Sequence, residues 1–113
     1  MRRGEIWWVD LADPSGSAPG YRHPAIVLQR DEVNDSRIST VVVCVLTSNT
    51  RLARARGNTL LSRRGTGLPR ASVANASQIA TVDRTDLVER VGALAPAVMR
   101  RVDEGVRWFL RLD

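Results

Sequence analysis

His23 is the only histidine in 113 residues, and it is the first residue to weigh for chemistry. Imidazole ordinarily titrates at about pH 6.5, so it can accept or release a proton in neutral water. Arg22 precedes it, Pro24 follows it, and a Pro/Gly/Ser-rich stretch over residues 13–20 leads into the trio. A lone histidine can equally be structural, and that reading stays open beside the catalytic one. Thr47 comes next. It ends an apolar run and opens onto Ser48 and Asn49, so its hydroxyl can donate to a phosphate or be satisfied by local backbone. Ser48 and Asn49 can bond a phosphate or a base edge, or serve only as loop residues. Arg51, Arg54 and Arg56 cluster just beyond. They can track a nucleic-acid backbone or form a solvated loop.

The charge narrows the partners. The net charge is +5, and all 17 basic residues are arginine. Guanidinium is always ionised and meets phosphate with a planar fork. The excess points to an anionic partner, with nucleic acid ahead of an acidic protein. A coding preference would also remove lysine, so the placement of the arginines matters more than their number. Cys44 lies inside Val41-Val42-Val43-Cys44-Val45-Leu46 and reads as a small buried hydrophobe rather than a nucleophile. No Cys/His cluster has zinc-ligand spacing, so neither a metal nor a cofactor is expected. The longest apolar run is far too short to span a bilayer. The N-terminus runs straight into a strand pattern without a signal-peptide core, which leads us to expect a cytoplasmic protein.

The elements that must position these residues are mostly strands. Hydrophobic residues make up 43% and charged residues 26%, which places the chain among ordinary globular proteins. Its length fits one domain over residues 1–113. Strand patterns cover residues 5–11, 24–29 and 38–47, the last β-branched enough for burial on both faces. Residues 50–56 read as a loop, 59–61 as a short strand and 63–67 as a turn. Residues 72–74 and 78–82 read as two strands, 83–86 as one helical turn, and 88–94 as a last strand. A helix is predicted from Pro96 to about residue 112, since proline suits a first helical turn. Its apolar stripe is Val98, Val102, Val106, Phe109 and Leu110. Arg100, Arg101, Glu104, Arg107 and Arg111 form its solvated face. Short strands with a terminal helix suggest a mainly β fold, a small antiparallel barrel or half-barrel with the helix packed on it.

Taken in order, several segments resemble the MazF/PemK family of toxin endoribonucleases. They are Arg3-Gly4-Glu5-Ile6-Trp7-Trp8-Val9-Asp10-Leu11, Pro14-Ser15-Gly16-Ser17, and His23-Pro24-Ala25-Ile26-Val27-Leu28-Gln29. Further on come Thr40 through Asn49, Gly67-Leu68-Pro69-Arg70-Ala71-Ser72-Val73, Ser77 through Asp83, and Leu94-Ala95-Pro96-Ala97. The resemblance covers nearly the whole chain. It implies an SH3-like barrel shared with CcdB-type toxins, and a homodimer with an RNA groove along the subunit interface. It also implies a cognate antitoxin with an acidic, disordered tail, and metal-free cleavage of single-stranded RNA at short motifs.

In that family an arginine just before the proline of the second strand and a hydroxyl residue ending the third strand carry catalysis. Thr47 matches the second position. At the first, His23 stands where arginine is expected, with Arg22 one residue earlier. Three readings follow. His23 is itself the acid or base, Arg22 swings in as the fixed charge, or the site binds RNA with weakened cleavage. Ala18 occupies a position where many members carry glutamate, which puts more weight on His23. Ser72, Asn75 and Gln78 are further candidates to line the groove. Trp7 and Trp8 alternate, so one is expected in the core and the other at the dimer interface, ahead of base stacking. A CcdB-like toxin directed at gyrase is the rival from another functional class. Thr47-Ser48-Asn49 and the arginine loop argue against it.

Overall fold

The run Thr40–Thr47 sits near the middle of one six-stranded sheet, which explains why its residues are apolar on both faces. The computed structural model describes residues 1–11 and 21–112, so the loop segment over residues 13–20, with Ala18, lies outside the described residues. The strands are β1 (Glu5–Leu11), β2 (Tyr21–Val27), β3 (Thr40–Thr47), β4 (Thr59–Leu61), β5 (Ser72–Asp83) and β6 (Leu87–Ala93). They lie in the order β4-β5-β3-β2-β1-β6, and all the pairings are antiparallel. Three helices accompany them: α1 (Asp31–Asn34), α2 (Arg63–Thr66) and α3 (Pro96–Leu110). The chain therefore forms a curled sheet, a half-barrel with a C-terminal helix.

Alternation along the strands divides the core in two. Ile6, Ile26, Cys44 and Leu46 point to one face and pack with Leu94, Met99 and Val102, which lets α3 cover that face. Val9, Ala25, Val27, Val41, Val43 and Val82 fill the other. Trp7 and Trp8 go to opposite faces, and each packs half-buried against one of the two clusters, so both contribute to the core.

Several boundaries differ from those expected. The two strands over 72–74 and 78–82 are one twelve-residue strand interrupted by a bulge. Cys44 pairs with Ile79, while Leu46, two residues on, pairs with Ala74, five residues back. The extra residues on β5 bend it and increase its twist. Asn58 Oδ1 accepts from Ala76 N at 2.9 Å and holds the bulge. The arginine loop contains a 3-10 helix, Thr50–Arg54, capped by Asn49. The turn over 63–67 is helix α2, capped by Ser62 and closed by Gly67 at φ 84°. Helix α1 had no counterpart in the periodicity, because four residues are too few to show one. At the other end, Phe109 and Leu110 are 44% and 48% exposed. The buried stripe of α3 is instead Met99 and Val102, with Val98 and Val106 beside them. The arginines of α3 are exposed, as a solvated face requires.

One corner is fastened with unusual completeness. The Arg3 guanidinium donates to Leu28 O at 2.8 Å and to both Asp103 oxygens at 2.6 and 3.1 Å, tying the turn before β1 to α3. Gly4, at φ 88°, donates to Val27 O and accepts from Leu94 N. Glu5 accepts from Arg2 N at 2.7 Å, Trp7 Nε1 at 3.1 Å and Arg90 Nε at 2.7 Å. Burial alone would raise the Glu5 pKa. The bonds from Arg90, Arg2 and Trp7 outweigh it and hold the carboxyl below its ordinary value.

Candidate active site

The ends of β2 and β3 furthest from that corner form a cleft. Ala25 pairs with Val45 and Val27 with Val43; the same register carried two residues further brings His23 across from Thr47. Proline at position 24 donates no backbone hydrogen bond, so the pair opens beyond it. Both residues line two cavities. The larger, of about 300 Å³, is walled by Trp8, Arg22, Pro24, Leu46, Ser48 and Arg70, among others. The smaller, of about 140 Å³, adds Val45, Leu52, Asn75 and Gln78. His23 and Thr47 form the ridge between them.

Thr47 accepts from Asn49 N at 3.2 Å through Oγ1. That local bond uses a lone pair and leaves the hydroxyl proton free to be donated. Trp8 stands opposite Pro24 and Asp10 opposite Arg22, which sets the Trp8 indole diagonally beside the Arg22 side chain. The Arg22 guanidinium lies 5.4 Å from the Trp8 ring centroid. It also reaches Glu89 Oε2 at 3.5 Å, a long pair between side chains more than half exposed. No carboxylate stands among the described residues lining either cavity, while two arginines do. The cleft is therefore suited to an anion.

The structure gathers most of the candidate residues. Arg22, His23, Thr47, Ser48 and Ser72 share the larger cavity. Asn75 and Gln78 reach the smaller one from the bulge of β5. Asn49 is instead a helix cap, its Oδ1 accepting from Arg51 N at 3.3 Å. Arg51, Arg54 and Arg56 line neither cavity; Arg56 lies over the Trp108 ring at 4.2 Å. Two further wall residues are Trp8 and Arg70. The sequence puts Trp8 in the core or an interface ahead of base stacking, and it gives Arg70 no role of its own; only the strand pairing brings Trp8 beside Arg22. Cys44 is fully buried, and burial pushes its thiol up to about 12, so it remains a packing residue.

The fold and the cleft together define a small curled-sheet protein with an arginine-bearing cleft at two strand ends. The chain belongs to the family described as PemK-like, MazF-like toxin of type II toxin-antitoxin system, which matches residues 2–110. It is 48% identical over 112 residues to endoribonuclease MazF6 of Mycobacterium tuberculosis, covering 99% of this chain and 98% of that protein. It is 28% identical over 112 residues to endoribonuclease EndoA of Bacillus subtilis, covering 99% of this chain and 96% of that one. Among solved structures, an endoribonuclease in complex with its cognate antitoxin from a mycobacterial species superimposes with a TM-score of 0.80. That match has 21% identity and covers 100% of this chain and 97% of the other.

Proposed function

We propose that this protein is the toxin of a type II toxin–antitoxin pair and cleaves single-stranded RNA without a metal. The observation that carries the proposal is the His23–Thr47 ridge between two carboxylate-free cavities. The ribose 2′-hydroxyl attacks the adjacent phosphorus while the 5′-oxygen leaves. His23 accepts the 2′-hydroxyl proton as the new P–O bond forms. Thr47 donates its hydroxyl hydrogen to a phosphorane oxygen, and Arg22 holds positive charge on the cleft wall. The departing 5′-oxygen takes a proton from solvent. The products are a 2′,3′-cyclic phosphate and a 5′-hydroxyl. An extended strand lets the attacking and leaving oxygens align, which an A-form duplex disfavours. The relatives' names support RNA as the substrate, and the complex of a structural neighbour supports a cognate antitoxin as partner.

The test is incubation of purified protein with labelled single-stranded RNA in excess EDTA. Thr47→Ala prepared in parallel controls for contaminating nuclease. The expected result is cyclic-phosphate ends made by the native protein, at least about 100-fold fewer by the variant, and no cleavage where the reacting ribose is replaced by deoxyribose. Cleavage by Thr47→Ala at near the native rate, or cleavage that requires an added metal, overturns the proposal.

A further inference from the structure

We infer that the larger cavity is a clamp for one nucleobase, with the Trp8 indole on one side and the Arg22 guanidinium on the other. The inference rests on the RNA-cleaving reading and specifies how the substrate is held. The cavity's lining is apolar at Trp8, Pro24, Leu46 and Leu68 and polar at Ser48 and Arg70. That combination suits a planar heterocycle joined to a phosphate.

The spacing of the two planes carries the argument. A base sandwiched between them needs two van der Waals separations, about 7 Å in all. Arg22 already stands 5.4 Å from the Trp8 centroid. The second cation–aromatic pair of the molecule, Arg56 over Trp108, is closed to 4.2 Å. The gap at Trp8 therefore needs a further displacement of roughly 1.5 Å. The Arg22 side chain can supply it, being 52% exposed and held by Glu89 only at 3.5 Å. Exposed pairs of that kind restrain a side chain weakly. The indole, in contrast, cannot retreat: β1 is paired on both sides, and Trp8 packs against the core cluster beneath α3. One jaw is fixed and the other moves. His23 and Thr47 line the same cavity, so the clamped base belongs to a nucleotide beside the reacting phosphate.

The experiment uses the full chain and a single-stranded oligonucleotide whose cleavage site has been mapped, in a 2′-deoxy form that cannot be cut. A series of strands lacks one base at a time over the two positions on each side of the scissile phosphate. Binding is measured by fluorescence anisotropy. One abasic strand is expected to bind roughly 10- to 100-fold more weakly than the intact strand. Trp8→Ala is expected to weaken the intact strand by a similar factor and to bind that same abasic strand no worse than the native protein does. Trp8→Phe, which keeps an aromatic plane, is expected to restore most of the difference. Equal binding of all the strands by the native protein overturns the clamp and leaves the cavity to a side chain from a protein partner; this holds even if Trp8→Ala fails to fold. Failure of the RNA-cleaving reading is seen separately, as uncut ribose substrate; the one-base-at-a-time series is then run along the whole length of a bound strand, and equal binding of every strand again overturns the clamp.

Discussion

Arg3, in the turn just before β1, and Arg22, in β2, play opposite parts. Arg3, at the fastened corner, has its guanidinium spent on one carbonyl and both oxygens of Asp103. Arg22, at the cleft, touches a ring at 5.4 Å and a carboxylate at 3.5 Å. The corner joins β1, β2, β6 and α3 through short hydrogen bonds of Arg3, Gly4 and Glu5 within the chain. At the cleft Arg22 has only a long contact to Glu89, and Arg70 makes no ion pair among the described residues. In a chain whose basic residues are all arginine, saturation of the guanidinium separates Arg3, which holds the fold, from Arg22, which stays exposed at the cleft.

Substitutions at the cleft should change catalysis and leave stability alone. His23→Ala and Thr47→Ala should each lower the cleavage rate by about 10²- to 10⁴-fold with an unchanged melting temperature. A large loss of Tm in either would make the ridge structural. The reverse case is Gly105→Ala. A methyl group there would overlap the carbonyl oxygen of Gly57, where α3 meets the loop before β4. We expect a loss of about 3 kcal/mol in urea unfolding. The surviving folded protein should keep its RNA affinity.

A smaller effect tests the corner itself. Glu5→Gln should cost about 1–2 kcal/mol at neutral pH, because a charged acceptor for three donors becomes a neutral one. The Glu5 pKa is lowered in the folded state, so its contribution is complete above the ordinary carboxylate value and fades as the pH falls through the folded one. The native and variant stabilities should therefore converge on acidification; a gap that persists at low pH would assign the cost to packing. The smallest effect concerns Arg70, whose guanidinium makes no ion pair among the described residues. Arg70→Gln should reduce the slope of log affinity against log salt by about 1 while leaving unfolding unchanged. An unaltered slope would remove Arg70 from the RNA path.

Much of this was legible in the chain. Alternation and β-branching marked β1 and β4 to the residue and β3 nearly so, since a half-buried pleat writes a period of two. Pro96 placed the start of α3. The ends of elements were harder. Phe109 and Leu110 continue the helical stripe, yet both are nearly half exposed, and a periodic pattern does not record where its covering surface stops. The gap between residues 74 and 78 looked like a break between strands. It is a bulge, because Asn58 ties down the backbone at Ala76 from another strand's approach.

The sequence by itself determined which groups were available for chemistry: one imidazole, one strand-ending hydroxyl, and a surplus of guanidinium with no lysine. It also carried the family resemblance, because the ordered motifs record local geometry. Only the tertiary structure decided which of those groups meet. His23 and Thr47 become neighbours through a register fixed by hydrogen bonds between strands twenty-odd residues apart. The same pairing lets Trp8 pack against the core and also wall the cleft, while Arg51, Arg54 and Arg56 lie outside it. Side-chain type is a property of one residue, whereas adjacency across a sheet is a property of the pairing.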